Sequence, residues 1–252
     1  MISMDVFFKQ MRKWVYQDID RPLFTGIYCD GERAIATDTH GLAIVKNWKA
    51  PAGYIDVDGR PVKDKGKFAD FNGVTQPSKD WDWLLMVDEN TMKRLRDFCA
   101  YAEKLNRGKG RKSEGTILGL YQHGEQVSLY CVNDVVRLYL TFSGKAEVAT
   151  NDEAYLVAQR SKTSTHTDYV DAARLKNALD FLLTTKALHA IIGTKNKTMR
   201  LESSELYLTI AGFYIGPNST NNQGVDLQAF MNGEIRNADC DAQEAAGSMF
   251  DA

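Results

Sequence analysis

One recurring order of elements restricts the fold of this chain more than any other feature: an amphipathic helix followed by three strands, occurring three times. The first helix is predicted over Met4–Gln17, where Phe7, Met11, Trp14 and Val15 recur at helical spacing and Lys9, Arg12 and Lys13 fall mostly off that stripe. Strands are predicted over Leu23–Cys29, Arg33–Thr37 and Leu42–Trp48, with Asp30-Gly31 as the hairpin turn between the first two. The second unit opens with the apolar run Trp83–Val87. Asp88 or Asn90 can cap a helix reaching Asn106, with Met92, Leu95, Phe98, Cys99, Ala102 and Leu105 as its buried stripe. Its strands are expected at Thr116–Gln122, Gln126–Val132 and Val135–Phe142. After a further strand at Ala154–Gln159, the third unit places a helix over Asp171–Thr184, with Leu175, Ala178, Leu179 and Leu182 facing inward. Strands follow at Ala187–Gly193, Thr198–Glu202 and Leu206–Phe213. The repeat is one of pattern, not of residue identity.

Two segments stand outside it. Gly53–Asp80 is rich in Gly, Pro, Asp and Lys and reads as a connector with one short strand. After Pro217 the chain runs Asn-Ser-Thr-Asn-Asn-Gln-Gly, and from Thr220 onward it has six acidic residues against one basic residue, Arg236, as in a flexible acidic tail. The organisation expected is 1–80, a half-domain with its connector; 81–217, a complete domain; and 218–252, the tail.

Charge argues about partners. The formal net charge is -2, so any nucleic-acid binding must come from local basic surface. Such a surface is legible between Lys93 and Lys112, where Lys93, Arg94, Arg96, Lys104, Arg107, Lys109, Arg111 and Lys112 are opposed only by Asp97 and Glu103. The bland reading is a solvated helix face followed by a Lys/Gly loop. Arg174 and Lys176 on the third helix do not share one face. Cys29, Cys99, Cys131 and Cys240 form no CxxC pair and no zinc spacing, as expected of free thiols in a reducing compartment. No P-loop, dinucleotide fingerprint, HExxH or nucleophile elbow occurs, so no cofactor and no metal is expected. The N-terminus lacks the pattern of a signal peptide, and no stretch reaches the roughly 20 apolar residues of a membrane span. A cytoplasmic protein is expected.

Two motifs carry a resemblance. Ala36-Thr-Asp-Thr-His-Gly-Leu-Ala43 follows a predicted strand and turn, and matches an ATDGHRLA-like motif at six of eight positions. Thr39 stands for the glycine and Gly41 for the arginine. Downstream, Phe68-Ala-Asp-Phe71 with Val74 and Pro77 looks like an FPDY-x-x-V-x-P connector. Together they make residues 1–217 resemble the bacterial DNA sliding clamp, the beta subunit of DNA polymerase III, in a divergent and shortened form. A first domain has no counterpart here, and the second half of the next is reduced to Tyr54–Lys67.

The resemblance implies an α+β, DNA-clamp-like fold, with antiparallel sheets and helices on one face. It implies no enzyme, but a processivity factor or DNA-associated adaptor that holds duplex DNA without reading its sequence. Lys9, Arg12, Lys13, Lys93, Arg96, Lys104 and Arg107 would meet phosphates, since contacts to phosphate alone permit sliding. Thr37, His40, Leu42, Ala69 and Val74 would border a cleft for short peptides of replication or repair proteins, and a ring would require a homo-oligomer. Two alternatives remain: a clamp-derived adaptor or decoy that does not encircle DNA, and a hydrolase using Asp38 and His40. Thr37, His40 and Leu42 could equally do no more than shape a turn. Trp14, Trp81 and Trp83 are expected in the core or at an interface.

Overall fold

The computed structural model describes residues 2–18, 20–63, 66, 68, 83–107, 116–123, 126–132, 137–143, 155–159, 165–195 and 198–212. The chain divides into two units, Met1–Phe213 and Tyr214–Ala252, and every described residue lies in the first.

Helix α1, Met4–Met11, buries Phe7, Gln10 and Met11. It is shorter than predicted. The chain tightens into a 3-10 turn at Arg12–Trp14, and Val15 is already extended, with ψ 148°. In that turn the Trp14 indole is buried in the core beside Gly41. Pro22–Phe24 also forms a 3-10 turn instead of the start of a strand, since proline suits the first position of such a turn. The strands of this part are therefore β1 Ile27–Cys29, β2 Ala34–Thr37 and β3 Gly41–Val45. The connector contributes two short strands where one was expected, β4 Gly53–Ile55 and β5 Pro61–Val62.

The remainder follows the predicted order closely. It runs β6 Trp83–Asp88, α2 Glu89–Arg107, β7 Ile117–His123, β8 Gln126–Val132, β9 Arg137–Ser143 and β10 Tyr155–Gln159. Then come β11 Thr165–Asp171, α3 Ala172–Thr184, β12 His189–Lys195, β13 Thr198–Glu202 and β14 Leu206–Ala211. Strand β11 was not foreseen. Thr-His-Thr-Asp-Tyr-Val-Asp has little apolar alternation, and the strand is an edge of its sheet, with one neighbour, β7. Each long helix is capped by the aspartate that ends the preceding strand. Asp88 Oδ1 accepts from Thr91 N at 2.7 Å, and Asp171 Oδ1 from Arg174 N at 2.8 Å.

All strand pairs are antiparallel. One sheet has the order β10-β6-β12-β13-β14-β3-β2-β1-β4-β5, the other β11-β7-β8-β9. The pairing of β14 with β3 makes the larger sheet continuous across the connector. Helices α2 and α3 lie side by side, with α1 against α3. The fold is thus α+β, antiparallel sheets with helices. Both faces of β2, β3 and β14 are buried, and successive side chains go alternately to two clusters. Ala34, Ala36, Ala43, Val45, Leu206, Leu208 and Ile210 join the main core with the helix stripes, while Ile35, Leu42, Ile44 and Tyr207 form a second cluster on the opposite face.

Cys29, Cys99 and Cys131 are free and buried; Cys240 lies outside the described residues. Among the described residues no helix is long and apolar enough to cross a membrane. Of the tryptophans weighed above, Trp14 is in the core, while Trp81 and the side chain of Trp83 lie outside what is described.

Candidate functional site

Thr37 to Leu42 form the turn between β2 and β3. Asp38 shapes it: Oδ1 accepts from His40 N at 3.0 Å and Gly41 N at 2.8 Å, an Asx turn. The Thr37 hydroxyl donates to the Gly41 carbonyl at 2.7 Å and accepts from Thr39 N at 3.1 Å, so its one proton is used inside the turn. Thr39 sits at φ 75°, a left-handed conformation that a β-branched residue adopts at a cost. Asp38 Oδ2 accepts from Arg174 Nη1 of α3, tying the turn to the helix layer. At Gly41, an added Cβ would meet Trp14 Cζ3 at 2.8 Å, so the glycine makes room for the indole.

His40 is exposed, and its carbonyl accepts from Ala211 N at 2.8 Å. Leu42 points to the second cluster with Ile35, Ile44, Tyr54, Phe68 and Tyr207, and is itself buried. The register extends a row from Thr37 through Leu42 and Thr209 to Arg200, all buried. Neither Thr209 nor Arg200 was singled out in the sequence, because only the β14–β3 pairing places them there. Phe68 caps this face. Its ring stacks on Tyr28 at 4.8 Å and meets Tyr54 edge-on at 5.6 Å. The connector motif therefore begins with an aromatic anchor. Ala69 and Val74 lie outside the described residues.

Basic residues gather on the helices. Lys93, Arg94 and Lys104 are exposed on α2 and Arg96 half-buried, away from the stripe of Met92, Leu95, Phe98, Cys99 and Ala102. Two of them have acidic neighbours, Lys93 with Glu89 at 2.6 Å and Arg96 with Asp97 at 2.7 Å. Arg107 ends α2; its side chain, with Lys109, Arg111 and Lys112, lies outside the described residues. Arg12 pairs with Asp58 at 2.6 Å, both well exposed, a geometry worth little in water.

Where α1 and its 3-10 turn meet α3, the charges are less exposed. Asp180 Oδ2 lies 3.5 Å from Lys176 Nζ and 4.0 Å from Lys13 Nζ. Burial lowers the Lys13 pKa against the raising pull of Asp180, and Lys176 and Lys9 lower it further. Lys176 was set aside in the sequence because it does not share a helix face with Arg174. The structure separates the two in the same sense, Arg174 going to Asp38 and Lys176 to this cluster.

Catalytic and metal chemistry find little here. The Asp38 carboxylate is engaged by a guanidinium and two backbone N–H groups, a role in shaping the turn and tying it to α3. Among the described residues no three His, Cys, Asp or Glu side chains converge to hold a metal ion.

No protein-family model and no curated protein matches the sequence. The structure, however, is similar to bacterial sliding clamps. The Bacillus subtilis DNA polymerase sliding clamp aligns with TM-score 0.61 and 13% identity, over 85% of this chain and 64% of that one. The beta sliding clamp of C. crescentus gives 0.60 and 11%, over 84% and 64%. The DNA polymerase III subunit beta of Borrelia burgdorferi gives 0.60 and 10%, over 84% and 62%. The chain has the sliding-clamp fold, and it spans somewhat under two thirds of the length of these clamps.

Proposed function

We propose that this chain is a non-enzymatic, clamp-like protein of the cytoplasm that holds duplex DNA against its helix layer without reading sequence. The observation that carries the reading is the layer itself. Helix α2 exposes Lys93, Arg94 and Lys104, and α1 with its 3-10 turn exposes Lys9, Arg12 and Lys13, over a sheet-backed core in a fold otherwise found here in sliding clamps. Lys9, Arg12, Lys13, Lys93, Arg96, Lys104 and Arg107 would contact phosphates, and binding would release counterions. A closed ring would need several copies of this chain. Short apolar peptides of replication or repair proteins would dock near Thr37, His40, Leu42, Ala69 and Val74.

A second reading, an adaptor that binds proteins and does not encircle DNA, draws support from the acidic partners that Arg12, Lys93 and Arg96 already have. The hydrolase reading loses its footing once Asp38 is committed to Arg174. The test is Lys93, Arg96, Lys104 and Arg107 changed together to Glu. Duplex binding by the native chain should be insensitive to sequence, fall steeply with salt, and vanish in this variant. Unchanged binding in the variant would refute the helix-layer assignment. A native chain that binds clamp partners but no duplex would favour the adaptor.

A further inference from the structure

The cluster around Asp180 places a carboxylate inside the basic surface, between two lysines that come from different helical segments. We propose that Asp180 is a tuning residue for duplex binding, one that holds Lys13 and Lys176 back from phosphates and keeps the grip weak enough to move; the inference rests on the DNA-binding reading above.

The geometry sets Asp180 apart from the acids that pair with Arg12, Lys93 and Arg96. Asp58, Glu89 and Asp97 have side chains 49% exposed or more, whereas Asp180 is 26% exposed and its two lysines 30% and 32%. Charges removed from bulk water to this degree are screened less by salt, so the same carboxylate acts more strongly on what approaches. It also faces two ammonium groups at once, at 3.5 Å and 4.0 Å, with Lys9 near enough to act on Lys13. A phosphate arriving at Lys13 or Lys176 must displace Asp180 or share the lysine with it.

Two effects of opposite sign follow from losing the carboxylate. The lysines lose a group that gathers them, a small entropic effect for partly exposed side chains. They also lose a fixed negative charge within a few ångströms of the incoming phosphate, and by Coulomb's law this is the larger effect. Asp180→Asn should therefore bind duplex DNA several-fold more tightly than the native chain, with a salt slope steeper by about 0.9 for one more phosphate engaged. Glu32→Gln, which makes the same change in net charge on the turn between β1 and β2, serves as the control and should leave both quantities near native.

Binding by fluorescence anisotropy of a labelled duplex, from low to moderate salt, decides the point. Tighter binding and a steeper slope in Asp180→Asn alone support the proposal. If native protein binds and Asp180→Asn matches it or binds more weakly, or if Glu32→Gln shows the same gain, the tuning role is wrong while the DNA reading stands. If the native chain does not bind duplex at all, both fail. A DNA-independent readout accompanies these: the Lys13 ammonium, followed by NMR, should titrate lower in Asp180→Asn, because the carboxylate that raises it is gone. An unmoved Lys13 would mean that the contact does not exist in solution, and would overturn the proposal.

Discussion

Asp38 and Arg174 are 136 residues apart in sequence and joined through a carboxylate oxygen and a guanidinium nitrogen, with side chains 16% and 29% exposed. The bond links the turn between β2 and β3 to the first turn of α3, and with the pairing of β3 to β14 it locks the N-terminal strands to the rest of the chain. Arg174→Ala should cost about 1–3 kcal/mol, since it leaves a partly buried carboxylate without its charged partner. In a cycle with Asp38→Asn the two losses should fall well short of additive by urea denaturation. Strictly additive losses would mean that the two groups do not interact.

The two departures from the clamp-like motif should have opposite effects when reverted. Thr39 sits at φ 75°, where glycine carries no steric penalty, so Thr39→Gly should be neutral or stabilising by up to about 1 kcal/mol. Gly41→Arg should destabilise by about 1–3 kcal/mol, because its Cβ would lie 2.8 Å from the Trp14 ring. Thermal melts of the two variants check both signs. A Gly41→Arg protein as stable as the native chain would show that the indole is not seated there.

Leu42 is 4% exposed and packs with Ile35, Ile44, Tyr54, Phe68 and Tyr207. Leu42→Ala should cost about 2–5 kcal/mol whether or not a peptide ever docks nearby. A lost peptide signal in that variant would therefore say little by itself. His40, exposed on the same turn, is the better probe. His40→Ala should leave the melting temperature near native and, if the turn borders a peptide cleft, weaken the binding of a clamp-binding peptide measurably by calorimetry. Unaltered affinity would reduce the turn to a structural role.

Alkali should unfold the protein early. Burial pushes the Cys29 thiol up to about 11, with Asp30 adding to it, and burial alone does the same for Cys131. Both folded values lie above the ordinary 9.0, so the neutral thiols contribute stability that is complete below about pH 9 and is lost as pH rises towards 11. The urea midpoint should drop across that window, and drop less in a Cys29→Ala, Cys131→Ala variant. Parallel declines in the two proteins would assign the loss to other groups. By the same burial, these thiols should resist alkylation at pH 8 until the chain unfolds.

The sequence alone determined most of the elements and their order, because side-chain periodicity and capping are local. The stripes of α2 and α3, the aspartates that cap them, and the apolar runs of β3 and β14 can each be read within about a dozen residues. The motif Ala36–Ala43 and the segment beginning at Phe68 pointed to the fold that the structure has. Where local signals failed, a long-range contact had prevailed. Helix α1 gives way to a 3-10 turn where the Trp14 indole packs against Gly41, and β11 is held in antiparallel register with β7, a pairing between distant segments. Only the tertiary structure decided the environment of the candidate site. Arg174 and Lys176 are two residues apart, yet one is bound to a turn in the N-terminal strands and the other stands beside Lys13. Thr209 and Arg200 reach the Leu42 row only through the β14–β3 register. Such contacts depend on where separate elements meet in space, and spacing along the chain carries no record of that.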